Sequence, residues 1–299
     1  MKMKKQRTYR NWFDTSQKPD PSFQPKEQHF TILDLIWEFG ILADYQLMEL
    51  MGIKKSRLHE LMSQLWNNRF VNRPNPKVRA GYNYMFWVLA KSGARVVARR
   101  QGIELRDLDW IRKPSRTQTH HDISVNDFRV IIQTAIKAND EFTFHDWIGE
   151  TTFRSWQDTV YYNNLKGEQT RRRFVADGYM RISRHKNGED RPFFSRLLLE
   201  VELSPKANPR FAEQKIMAGM AYIESDIYPK RFGSTGARIL YIVPNREKME
   251  NYRRASERAI DSEKYRYFYF TTFDDVRTED ILFTPIWWRP GDKEPVSLF

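Results

Sequence analysis

Residues 197–203 read Leu-Leu-Leu-Glu-Val-Glu-Leu, which sets two carboxylates, Glu200 and Glu202, inside an apolar run. Extended backbone alternates its side chains, so both acids point to one face, about 7 Å apart, while Leu199, Val201 and Leu203 form the other, a core face. A third acid, Asp177, precedes them in "RRRFVADGYMRIS", a strand joined to theirs through the hairpin turn "HKNGED". Neighbouring strands lie about 4.8 Å apart, so the right register puts Asp177 beside Glu200. Clustered carboxylates repel one another unless protonated or bound to a cation. Hard oxygen ligands of this kind suit Mg²⁺ or Mn²⁺, and such an ion beside a phosphodiester supplies a nucleophile and steadies the leaving oxygen. The alternative is the solvent face of a half-exposed strand, with each acid paired to Arg or Lys. The leucine-rich flanks argue for a central strand, and Asp177 arrives at the right place in sequence for a shared site.

The elements that must position these acids follow from patterning. Helix 119–140 ("THHDISVNDFRVIIQTAIKAND") has Ile123, Phe128, Ile131, Ile132 and Ile136 as its apolar positions. A strand follows in "EFTFHDWIGE", ending at Glu150, and then "SWQDTVYYNNLKGEQ", an excursion with no clear pattern. After the acidic strands the sequence predicts a helix over 208–225, with Asn208 as N-cap and Pro209 in the first turn. The strand "ARILYIVP", the helix "REKMENYRRASERAI" and the strand "YRYFYFTTF" complete a mixed α/β domain over 119–299. The aromatic stretches "YRYFYFTTF" and "PIWWRP" read as core strands rather than base-stacking platforms.

Upstream, residues 1–26 form a polar, basic, Pro-punctuated arm. Three short helices come next. Ile32, Leu35, Ile36 and Phe39 line the first, which Gly40 ends; Leu47, Leu50 and Met51 line the second; Leu58, Leu61, Met62 and Leu65 line the third. Pro74 and Pro76, a turn at Ala80-Gly81 and alternation through Tyr82, Tyr84, Phe86 and Val88 then predict a hairpin. Three helices and a hairpin over 27–100, closed by the helix "KSGARVVARRQGI", make the pattern of a winged helix-turn-helix, whose third helix enters a major groove. That helix offers Lys54, Lys55, Ser56, Arg57, His59, Gln64 and Asn68, and the wing Arg73, Lys77 and Arg79. Lys and Arg neutralise phosphates, while Arg, Gln and Asn also read base edges. Such domains also serve protein contacts, and Lys54, Lys55 and Arg57 are equally compatible with a solvated helix start. Residues 101–118 read as a linker.

Charge supports a nucleic-acid partner. The chain carries a net +12, of which residues 1–118 hold +11, with 22 Lys and Arg against 11 Asp and Glu. A surplus confined to one end favours a polyanion, here double-stranded DNA. The absence of cysteine excludes disulfides and thiolate zinc sites and agrees with a cytoplasmic protein. The N-terminus has no apolar signal region, and no run approaches the roughly 20 apolar residues of a membrane span, so a soluble protein is expected. There is no phosphate-binding Gly-rich loop. His120-His121 and Tyr161-Tyr162 raise the metal-histidine and tyrosine chemistry of rolling-circle nucleases, but "THHDI" lacks the hydrophobe between the histidines.

"VADGYM", about twenty residues, then "LLLEVE" is similar to the acidic core of restriction-endonuclease-like nucleases, and the whole more closely resembles the replication-relaxation family of plasmids and mobile elements. The pieces that carry the likeness are "HDISVNDFRV", "WIGE", "FVADGYM", "FFSRLLLEVE" and "EQKIMAGMAYIE", over about residues 30–245. The resemblance implies a winged helix followed by an α-β-β-β-α-β nuclease domain. It implies metal ligation by Asp177 and Glu200, and an activity like that of relaxases that nick DNA. Glu202 stands where most such nucleases carry lysine, a departure that makes it a third ligand. Lys215 on the next helix would replace that lysine, Glu150 would be an outer ligand, and Asn126 would orient an acid unless it is a packing contact. Two functions remain open: a metal-dependent site-specific endonuclease or nickase that starts replication or transfer, and a non-catalytic initiator or transcription regulator whose degenerate second domain serves dimerisation or docks replication and mobilisation proteins.

Overall fold

The computed structural model describes residues 19–74, 83–111, 115–185, 191–204, 206, 208–277 and 280–299. Two compact units emerge, Met1–Val130 and Ile131–Phe299.

The first unit contains α1 (Glu27–Phe39), β1 (Leu42–Ala43), α2 (Asp44–Met51), α3 (Lys55–Asn67), β2 (Val71–Asn72), β3 (Phe86–Leu89) and α4 (Lys91–Gln101). The predicted apolar stripes meet here: Ile32, Ile36, Leu47, Leu58, Leu61 and Leu65 are all essentially inaccessible. β3 is the central strand, antiparallel to β1 on one side and β2 on the other. Among the described residues regular pairing begins at Phe86, later than the alternation through Tyr84 suggests. The segment 75–82, which holds Lys77, Arg79 and the Ala80-Gly81 turn, lies outside the described residues. Gly93 allows close contact between α4 and the chain entering β2: a Cβ there would sit 2.1 Å from the carbonyl oxygen of Phe70.

Helix α5 (Arg116–Lys137) crosses the division between the units. Its first half packs in unit one. Ile123 joins Ile41, Phe86 and Val88 in a small apolar cluster. Asn126 donates to the carbonyls of Phe39 (3.1 Å) and Ile41 (2.7 Å), where α1 has ended and its last acceptors need partners. Asn126 is thus a packing and capping contact, and the role of orienting an acid falls away. Gln46 reaches the Ile123 carbonyl and Asp127, and the buried Arg129 pairs with Glu38.

The second unit is a five-stranded sheet with the order β10-β9-β8-β7-β4. Strands β4 (Phe142–Gly149), β7 (Gly178–Arg184) and β8 (Phe193–Val201) form an antiparallel meander. β9 (Arg238–Val243) and β10 (Phe268–Thr272) continue it in parallel. Leu197, Leu198 and Leu199 are all fully inaccessible, so both faces of β8 are covered, as expected next to a parallel pair. The excursion after β4 is structured: α6 (Glu150–Trp156) leads to a hairpin of β5 (Thr159–Asn163) and β6 (Gln169–Arg173). The predicted helix over 208–225 starts later. Asn208 caps a turn by accepting from Arg210 N, and the helical segment begins as a π-helical turn, Ala212–Met217, continuing into α7 (Ala218–Glu224). Helices α8 (Ile227–Phe232) and α9 (Arg246–Glu257) flank β9. Trp287 of "PIWWRP" is buried as predicted, but the segment forms isolated bridges rather than a strand. No helix among the described residues is long and apolar enough to cross a membrane.

Asn126→Ala would leave two carbonyls without their donor. We expect a loss of about 1–3 kcal/mol in urea unfolding; an unchanged midpoint would show that the α1–α5 joint does not depend on this side chain.

Candidate functional site

Register decides whether the three acids meet. Gly178 pairs with Leu199, so the next pair along the same ladder is Asp177 with Glu200. Two hydrogen bonds clasp Asp177 to β8: its N–H donates to the Leu199 carbonyl (3.0 Å), and its Oδ2 accepts from Val201 N (2.7 Å). On the other side Gly149 pairs with Gly178, the last pair of that ladder, and Glu150 follows as the first residue of α6. Glu200 in turn pairs with Tyr241 of β9. One end of the meander therefore carries Asp177, Glu200 and Tyr241 as a row. Gly178 is required within it, because a Cβ there would lie 2.5 Å from the ring of Trp147 on β4.

Glu200 is 5 % exposed, and Lys215 reaches it from the π-helical turn: Nζ donates to Oε2. Burial by itself would lower the pKa of this ammonium, but Glu200 and then Asp177 more than offset it and hold it above the ordinary lysine value, with Arg172 of β6 opposing. Tyr241 fixes the turn from below, its hydroxyl donating to the Lys215 carbonyl (3.3 Å). Burial, with Glu200 and Asp177 adding to it, keeps that hydroxyl protonated well beyond the usual tyrosine range. Two carboxylates and one ammonium leave the group with a formal charge of −1.

Glu202 makes its contacts elsewhere. Its carboxylate lies 3.8 Å from Lys248 Nζ of α9, accepts from Ser204 N (3.2 Å), and is 3.5 Å from the Tyr252 hydroxyl. Lys248 is 4 % exposed and also donates to the carbonyls of Ser204 and Lys206 (3.1 Å for the latter), which ties down the chain leaving β8. Burial lowers the Lys248 pKa and Glu202 restores part of it. The two strand acids thus belong to two lysine pairs rather than to one trio with Asp177. Glu150 forms an i,i+4 pair with Arg154 on α6. Sequence reading missed Lys248, Tyr241 and Arg172. Lys248 falls beside Met249 on the buried face of α9, which was the available signal.

In the first unit, Lys54, Lys55, Ser56, Arg57 and His59 are exposed at the start of α3. Arg57 is held by Gln28 and Glu60. Three others are half-buried and have partners within the unit. Gln64 Oε1 bonds His29 Nε2 (2.8 Å), and burial pulls the His29 pKa down. Asn68 caps the end of α3 and accepts from Asp20 N. The Arg73 guanidinium lies over Trp66 and Trp87, at 4.5 and 4.6 Å from the ring centroids. His120 and His121 are consecutive residues of α5, and Tyr161 and Tyr162 fall on opposite faces of β5.

The Glu200–Lys215 pair makes a double-mutant test available. Glu200→Gln or Lys215→Met alone is expected to cost about 2–3 kcal/mol, below the range for a fully buried pair because Lys215 keeps one third of its surface in water. The double variant should recover part of that loss, whereas strictly additive losses would mean the pair is not coupled. Because Lys215's pKa is raised, its contribution is complete at neutral pH and is lost only as pH climbs past the ordinary lysine value and through the raised one.

No curated protein and no solved structure matched the chain. The replication-relaxation family model matches residues 33–237, a span that runs from α1 through the Asp177, Glu200 and Lys215 positions to the start of β9. The chain belongs to the replication-relaxation family.

Proposed function

We propose that the protein is a DNA endonuclease or nickase of a mobile element, with the second unit as a restriction-endonuclease-like catalytic domain and the first as a winged-helix DNA-binding domain. The observation that carries this reading is the arrival of Lys215 Nζ on Glu200 from the segment after β8, beside an Asp177 held in register with the same glutamate. The lysine absent from the strand is supplied from the next element. Helix α5, the β4-β7-β8 meander, the α7 segment and the parallel β9 follow the α-β-β-β-α-β order.

Asp177 and Glu200 fit a Mg²⁺ or Mn²⁺ ion, as adjacent carboxylates whose formal charge one lysine does not cancel. The ion, when bound, supplies a water of lowered pKa and stabilises charge on the phosphodiester. The chain's own residues then have separate tasks. Val201 N fixes the orientation of the Asp177 carboxylate. Lys215 neutralises Glu200 in the free protein and offers an ammonium to the non-bridging phosphate oxygens of the substrate. Glu202 keeps Lys248 and the loop after β8 in place, and so positions the site without touching substrate. Glu150, which follows the last β4–β7 pair, would be an outer ligand. In the first unit, Lys54, Lys55, Ser56, Arg57 and His59 face the duplex.

One observation favours the rival reading of a non-catalytic initiator or regulator: Glu200 already has Lys215, so the site is partly charge-compensated without an ion. Nicking of supercoiled DNA carrying the protein's own locus separates the two. We expect relaxation with Mg²⁺ or Mn²⁺, none with chelator, and a loss of about 100-fold or more in Asp177→Asn and Lys215→Met. DNA affinity should be retained in both. Tight binding of the locus without nicking under either metal would establish the regulator instead. Lys54→Ala and Lys55→Ala should each weaken duplex binding and lower the salt dependence of log K by about one; an unchanged slope would move the duplex site off α3.

A further inference from the structure

The β5–β6 hairpin is unexplained by the catalytic group and has an unusual surface. Its inner face, with Val160, Tyr162, Thr170 and Arg172, is buried or half-buried. Its outer face pairs Thr159 with Arg173, Tyr161 with Arg171 and Asn163 with Gln169, and all of these except Thr159 are exposed. Tyr161 leaves 60 % of its surface in water, and at the turn Leu165 leaves 55 %. Over 159–173 there are four cations, Lys166, Arg171, Arg172 and Arg173, against one acid, Glu168, whereas residues 119–299 as a whole carry only +1. Glu168 is engaged by Asn164 at the turn, and Arg171 has no ion-pair partner among the described residues. The outer face is therefore basic, aromatic and free of acids.

Its placement ties it to the acidic row. β6 runs within four residues into Asp177. On the inner side, Leu165 N donates to Glu213 in the same π-helical turn as Lys215, and Arg172 lies near enough to oppose Lys215's positive charge. The hairpin itself is thus anchored, through its inner side, to the turn that carries Lys215.

We propose that the outer face of the β5–β6 hairpin binds single-stranded DNA, with Tyr161 stacking on a base and Arg171 contacting the adjacent phosphate. Charge selects a polyanion, and the exposed ring selects an unpaired strand: a base offers its flat face to a side chain only when it is out of the duplex stack. The inference rests on the reading of the second unit as a DNA-acting domain and adds the form of DNA that this domain holds.

The test uses the full chain with chelator present, so that no cleavage is needed, and fluorescence anisotropy with a labelled 20-nucleotide single strand and the matching duplex. Tyr161→Ala should weaken single-strand binding at least about fivefold, while Tyr161→Phe binds like the unsubstituted chain. Arg171→Ala should lower the salt slope for the single strand by about 0.7, the value for one lost phosphate contact. Duplex affinity, assigned to the first unit, should hardly change. Both side chains are exposed, so melting temperatures should stay put. Undetectable single-strand binding by the unsubstituted chain, unchanged binding in the variants, or a loss confined to the duplex would each overturn the proposal. A protein that binds the single strand through Tyr161 but never nicks would sink the nuclease reading and leave this one standing.

Discussion

Glu200 is a carboxylate in the middle of a sheet with both faces covered, and an isolated charge there costs several kcal/mol unless something compensates it. Lys215 is that compensation, and much of the second unit's geometry serves their meeting. The lysine must come from outside the strand, so the chain after β8 has to return over the same end of the sheet. The π-helical turn at 212–217 performs that return, and Tyr241 anchors it by bonding the Lys215 carbonyl. Asp177 is fixed independently, by main-chain register and by Val201 N, so its carboxylate is directed by the sheet rather than by the lysine. A second lysine, Lys248, meets the second acid of the strand and secures the loop between β8 and the turn. Two acid–lysine pairs from two different helices hold the acids where a leucine strand would otherwise reject them.

Neighbouring Asp177 and Glu200 could be inferred from sequence because strand alternation and a hairpin link leave few registers, and the correct one adds a backbone clasp. Helix stripes such as Leu58, Leu61, Met62 and Leu65 were equally legible, since a period of 3.6 fixes which side chains enter a core. Other features were not. The separation of Glu202 from Asp177 depends on Lys248, 46 positions later in sequence, and no local pattern encodes a pairing over that distance. The π turn adds one residue to a helical turn and rotates the rest of the helix by about 100°, so a regular helix from Asn208 misplaces every side chain on it. Residue type alone points Gln64 and Arg73 outward, because polar residues on a basic helix and wing usually face solvent. A buried His29 and two tryptophans draw them in.

The first unit shows how much of a shared polar joint lies in one motif. The "HDISVNDFRV" stretch closes onto the first helices through three side chains: Asn126 and Arg129 serve main-chain acceptors and the Glu38 carboxylate, and Asp127 accepts from Tyr45 and Gln46. Its recurrence in the sequence resemblance has a packing explanation and needs no catalytic one.

On the proposed function Glu200, at the end of β8, and Glu202, just beyond it, have different tasks, Glu200 in chemistry and Glu202 in support. Nicking and thermal unfolding of Glu200→Gln and Glu202→Gln, measured side by side on the same supercoiled substrate, test it most directly. The account predicts that Glu200→Gln abolishes nicking while DNA binding persists, and that Glu202→Gln melts earlier yet still nicks at temperatures where it is folded. Nicking that survives Glu200→Gln, or is abolished by Glu202→Gln in a protein as stable as the unsubstituted chain, would contradict it.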